Sequence, residues 1–96
     1  MLFVITARDK PDSLALRTAT RPAHLDYVQK TGVVKLGGPF LDEKGGMIGS
    51  LLIIEAPDLA AATEWQVNDP YSQAGLFAES ELSPWRATIN TCKAEL

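Results

Sequence analysis

The chain holds a single histidine, His24. Histidine is the side chain whose ordinary pKa lies closest to neutral pH, so it is the first candidate for moving a proton. In an arbitrary sequence a lone histidine is as readily a half-buried helix residue with one ordinary hydrogen bond. Arg21, three residues earlier, is either a solvated arginine at a helix start or a clamp for a carboxylate or phenolate. Asp69 precedes Pro70, a pattern that suits a capping residue before a helix with proline at its first position. Ser50 follows Gly49 in an apolar run. No nucleophile-elbow motif surrounds it, so its chemical reading is a hydrogen-bond donor rather than a nucleophile. Gly37, Gly38 and Pro39 suggest a bent strand end; no clear helix follows them, which argues against a phosphate cradle. Tyr71 and Trp65 read as core, and Phe77 and Trp85 as sheet-face or dimer contacts. Cys92 is the only cysteine. It has no base beside it and no metal-type Cys/His spacing, so no metal site, disulfide or thiol chemistry is expected.

These residues need elements to hold them. Residues 2–8 (LFVITAR) read as a strand, ended by the turn cluster DKPDS. Asp12 or Ser13 would cap a short helix reaching about Thr20. Pro22 is expected to interrupt it and to start a second helical piece from Arg21 to Thr31, closed by Gly32. That boundary puts His24 in a first helical turn, where the helix dipole favours neutral imidazole. Residues 33–40 read as a strand that bends or ends at Gly37-Gly38-Pro39, 41–47 as a hairpin loop, and 48–56 as the clearest strand. Residues 57–68 read as a helix with Leu59, Ala62 and Trp65 inward, broken at Asp69-Pro70. SQAGL is expected to be a short turn, and 77–90 a last strand on which Pro84 favours an edge.

The order β-α-β-β-α-β implies a ferredoxin-like α+β fold, an antiparallel sheet with its helices on one face. Leu51, Leu52, Ile53 and Ile54 make the central strand apolar on both faces. Helices cover only one face, so a second copy of the chain is the expected cover for the other.

Composition sets the outer bounds. The 96 residues suit one domain, 1–96, with 46% hydrophobic and 22% charged residues, as in ordinary globular chains. A net charge of −3 disfavours a nucleic-acid partner. The strand 48–56 also lacks the basic and aromatic residues of an RNA-binding sheet. No apolar stretch approaches the roughly 20 residues that cross a bilayer. The start MLFVITARDKPDSL reads as a strand rather than a signal peptide, so a cytoplasmic protein is expected.

Several segments in order, LFVITARDKPDSLALR, RPAHL at 21–25, GGPF at 37–40, GSLLIIEA at 49–56, NDPYSQAGLF at 68–77 and PWRATIN, resemble the YciI-like (YCII-related) family. RPAHL and DPY with AGL are the specific parts. The resemblance implies a dimeric α+β barrel, related in fold to muconolactone isomerases, with a histidine–aspartate active site. Those two residues map onto His24 and Asp69, with Arg21, Gly38, Pro39, Ser50 and Tyr71 as the expected substrate-binding surround. The expected function is acid–base chemistry on a small cyclic or aromatic metabolite, with no metal or organic cofactor implied. The alternative is a domain that binds or senses a small ligand without turning it over. The short loop at 41–47 departs from any reading that places substrate contacts on a loop there.

Overall fold

The computed structural model describes all 96 residues. Seven elements follow in order: β1 (Leu2–Asp9), α1 (Leu14–Thr31), β2 (Val34–Leu41), β3 (Met47–Glu55), α2 (Leu59–Asn68), α3 (Pro70–Gln73) and β4 (Phe77–Trp85). The strands form one antiparallel sheet in the order β2-β3-β1-β4. This is the ferredoxin-like α+β arrangement expected from the element order. The apolar β1 and β3 take the two central places. The strands that carry proline, β2 with Pro39 and β4 with Pro84, take the edges, where a missing N–H breaks no ladder.

Register decides which side chains face the helices. Phe3 stands opposite Ile54, Ile5 opposite Leu52, and Ala7 opposite Ser50. Side chains alternate across a strand, so these six share one face. Tyr27 and Val28 of α1 and Ala62 and Trp65 of α2 pack on that face with Phe3, Ile5, Leu52 and Ile54. Both long helices therefore lie on the same side. The opposite face carries Val4, Leu36, Leu51 and Trp85; Leu36 and Trp85 are exposed, while Val4 and Leu51 are half-buried.

Four boundaries differ from the sequence expectation. The largest concerns α1, which runs unbroken through Pro22. Proline removes the bond its N–H would give the carbonyl of Thr18. Arg17 before it and His24 after it are both buried, and this packing on either side holds the helix together across the break. Gly32 then ends α1 with φ 66°, a left-handed conformation that suits glycine, and donates its N–H to the Val28 carbonyl. β2 continues through Gly37, Gly38 and Pro39 instead of ending there. A side chain at Gly37 would collide with Leu52, so the glycine lets β2 lie close to β3. α2 starts at Leu59 with Asp58 as its cap, accepting the Ala61 N–H at 2.8 Å. Ala62 and Trp65 face inward as expected, whereas Leu59 is exposed because it sits in the first turn, off that stripe. β4 stops at Trp85, five residues short of the expected end, where its pairing with Leu2 at the start of β1 runs out. No helix is long and apolar enough to cross a membrane.

Candidate active site

At the far end of the helix-facing side the sheet turns polar. After Phe3, Ile5 and Ala7 comes Asp9, beyond a register shift between Arg8 and Asp9. Ser50 lies beside them on β3. Arg17 reaches down from α1 to join the two. Its Nε donates to Asp9 Oδ2 at 2.6 Å, and its Nη2 to Asp9 Oδ1 at 2.9 Å and to Ser50 Oγ at 2.8 Å. Arg17 is 2% exposed. Burial lowers its pKa, but the hydrogen bond and charge of Asp9 more than offset this and hold the guanidinium above its ordinary value. Such a two-pronged pair is the strongest ionic contact available to these side chains.

His24 lies seven residues along α1 from Arg17, on the same helical face. Its Nδ1 is 2.8 Å from Asp69 Oδ1. The same oxygen accepts the backbone N–H of Tyr71 at 2.9 Å. Asp69 is thus both the cap of α3 and the hydrogen-bond partner of the ring. An ionised carboxylate only accepts, so the ring proton is assigned to Nδ1 and Nε2 is left as the free acceptor. Both side chains are buried.

Tyr71 lies across the two groups. Its ring stacks on His24 with centroids 4.1 Å apart and planes 17° apart. The Arg17 guanidinium carbon lies 4.6 Å from the Tyr71 ring centre. Phe77 packs edge-on to Tyr71 at 6.0 Å. Phe77 therefore supports the site from the helix side, and is not the open-face contact expected of it; its register opposite Asp9 puts it there.

These groups border a cavity of about 200 Å³ between α1 and β2–β3. Arg17, Arg21, His24, Ser50 and Tyr71 give it polar walls; Leu25, Val28 and Leu52 give it apolar ones. Gly37, Gly38 and Pro39 close the β2 side. Arg21 is exposed, and Asp69 stands behind His24 and does not border the cavity. The expected surround of Arg21, Gly38, Pro39, Ser50 and Tyr71 is thus gathered at one place.

His24 does not stand at a helix start. The residue sits ten positions after Leu14, inside α1, and not in a first turn. The helix dipole fades within one turn of the end and has no hold on it there. Asp69 and Tyr71 define its setting instead. Arg17 and Asp9 are the site residues that the sequence reading missed. Arg17, Arg21, His24 and Val28 are spaced as one helical face, but the break expected at Pro22 hid that spacing.

The fold is thus a ferredoxin-like sheet with a buried histidine–aspartate pair beside a small half-polar cavity. Residues 1–86 match the YCII-related domain family, and the chain belongs to that family. It is 38% identical over 95 residues to the protein YciI of Escherichia coli O6:H1, spanning 90% of this chain and 97% of that one. A Haemophilus influenzae protein is 33% identical over 95 residues, with the same coverage of 90% and 97%. Among solved structures, the chain is similar to the 5-chloro-2-hydroxyhydroquinone dehydrochlorinase TftG of Burkholderia phenoliruptrix AC1100, in complex with 2,5-dihydroxybenzoquinone. The TM-score is 0.82 at 36% identity, covering 90% of this chain and 94% of that one. An antibiotic biosynthesis monooxygenase matches at TM-score 0.58 and 18% identity, covering 93% of this chain and 100% of that one, and shares the fold.

Proposed function

We propose that this protein is an acid–base enzyme for a small cyclic or aromatic molecule, with His24 moving the proton and Asp69 holding the ring. The observation that carries this reading is the His24–Asp69 hydrogen bond at the wall of a cavity of about 200 Å³. With Nδ1 bound to Asp69, Nε2 accepts a proton from substrate, and the carboxylate stabilises the imidazolium that results. The same imidazolium then returns the proton to a leaving group or to another ring position. Elimination and isomerisation both fit. A site of this size holds one substituted ring, since a cavity of about 150 Å³ is enough for benzene. The likeness to TftG supports this substrate class.

The test is chloride release from 5-chloro-2-hydroxyhydroquinone and from related hydroxylated rings. His24→Ala and Asp69→Asn are each expected to lower kcat by about 10²–10⁴ while leaving the fold intact. Ligand-dependent stabilisation of the wild type without any turnover would instead favour the binding domain.

The open sheet face supports a homodimer in the same reading. Leu36, Leu51, Val4 and Trp85 lie on it, and covering what each leaves exposed gains part of the about 1.5–3 kcal/mol that full burial of such a side chain is worth. Sedimentation is expected to show a dimer at micromolar protein and a monomer for Leu36→Glu. A wild-type monomer would remove the dimer from the proposal.

A further inference from the structure

We infer that Arg17 and Ser50 form a two-donor seat for an oxyanion, so that the substrate carries an acidic hydroxyl on its ring. This deepens the acid–base reading above and rests on it. Three observations lead there. First, Ser50 Oγ accepts from Arg17 Nη2, and the protein offers no acceptor for the hydroxyl's own proton. That proton is free to point into the cavity that Ser50 borders. Second, Nε and Nη2 of Arg17 are taken up by Asp9 and Ser50, while Nη1 makes no close hydrogen bond; the Tyr71 hydroxyl, on a ring that also borders the cavity, is a polar neighbour of the guanidinium. No buried side-chain nitrogen or oxygen goes unpaired, so Nη1 keeps its open side, and Arg17 also borders the cavity. Third, Asp9 holds the guanidinium by two bonds, which fixes its direction before any ligand arrives.

The charges around the cavity narrow the choice of ligand. Asp9 is paired with Arg17, and Asp69 with His24. Of the basic side chains that border the cavity, Arg21 alone has no carboxylate partner, and no carboxylate borders the cavity. An anionic oxygen seated beside Ser50 would meet the Ser50 hydroxyl, Arg17 Nη1 and, at the rim, Arg21, with no carboxylate opposing it. A phenolate, an enolate or a hydroxyquinone anion fits that set. In the reaction, charge left on the ring when His24 takes a proton would settle on this oxygen. The seat then stabilises the charged intermediate as well as selecting the substrate.

The experiment uses two chromophoric probes, 4-nitrophenol and its methyl ether 4-nitroanisole. Both carry the nitro group, so their difference isolates the hydroxyl. The phenolate absorption band reports the ionisation state of the bound phenol. Wild-type protein is expected to bind the phenolate about tenfold more tightly than the neutral phenol or the ether, and to lower the apparent pKa of the phenol by about one unit. Ser50→Ala, which leaves the Arg17–Asp9 pair in place, is expected to lose most of that shift. Arg17→Lys, which keeps the charge but not the fork, is expected to lose it too. His24→Ala is expected to retain it. The seat is overturned if Ser50→Ala keeps the full shift, or if Arg21→Gln or His24→Ala alone abolishes it. It is overturned as well if the wild type makes no distinction between the two probes, including failure to bind either. Persistence of the shift in a His24→Ala protein that still turns over substrate would sink the acid–base reading and leave the seat standing.

Discussion

The two ends of the helix-facing layer are built on the same pair of strands and behave as opposites. At one end Phe3 and Ile54 meet Ala62 and Trp65 in an apolar core. Three side-chain steps along β1, at Asp9, the layer holds Arg17, Ser50, His24, Asp69 and Tyr71. Both ends bury their side chains: Phe3 and Ile54 are 0% exposed, and Arg17 and Asp69 are 2% and 3% exposed. The difference lies in what each end tolerates. An apolar end loses energy in proportion to the volume removed. A polar end is stable only while every donor and acceptor is matched, and here no buried side-chain polar atom lacks a partner. The apolar end anchors the two helices, and the polar end uses that rigidity to hold a histidine, an arginine and a serine at fixed positions around one cavity.

The largest effect should come from unmatching the polar end. Arg17→Met leaves Asp9 buried without a partner and is expected to cost about 3–5 kcal/mol in urea denaturation. Pairing it with Asp9→Leu should restore most of that loss, because an apolar pair is no worse than a buried ion pair. The exposed Lys30–Asp26 pair on the outside of α1 is the internal control. Lys30→Met is expected to leave stability unchanged within error. If Arg17→Met proves as harmless as Lys30→Met, the contrast between the two ends is wrong.

The apolar end sharpens the contrast with a smaller loss. Ile54→Val removes one methylene from a fully buried side chain and is expected to cost about 0.5–1.5 kcal/mol. The His24 ring resonances, followed by NMR, should not move in this variant, because Ile54 touches the core and not the cavity. Displaced resonances would show that the two ends are coupled through the sheet.

The contrast also shows why parts of the molecule were legible in the sequence. The apolar end writes itself as alternation and runs: Phe3 and Ile5 on β1, and the four residues Leu51 to Ile54 on β3. From these the central strand follows, and the element order gives the side on which the helices lie. The polar end depends on long-range meetings. The contact between His24 and Asp69 spans 45 positions, and the one between Arg17 and Ser50 spans 33. Nothing local to either residue reports such a partner. The family likeness points to His24 and Asp69; its matching segment LFVITARDKPDSLALR contains Asp9 and Arg17 but attaches no role to them. For Arg17 the local rule misled. Proline normally starts a helix, and Pro22 read that way split α1 and separated Arg17 from the face it shares with His24. Tertiary packing on both sides of Pro22 outweighed the local preference.

The smallest predicted effect belongs to Tyr71, which touches His24, Arg17 and Phe77. Burial pushes its hydroxyl pKa up, Arg17 and Arg21 pull it down by less, and the net direction is upward. In the unfolded chain the phenol ionises in the ordinary tyrosine range, near about 10. Between that value and the higher folded one, the folded protein keeps a proton that the unfolded chain has released. The unfolded state then binds fewer protons, so stability falls as pH rises through this window. Below it the contribution of Tyr71 is fully present, and above the folded value the decline ends. Tyr27 is shifted the same way, by burial first and then by Asp69 and Glu64, so the wild-type decline is a sum of two residues. Urea midpoints measured across the alkaline range separate them. Tyr71→Phe should make the decline shallower while keeping the stacked ring against His24. An undiminished decline would assign the whole effect to Tyr27, at the edge of the apolar end, and Tyr71 would then be no more shielded than a surface phenol.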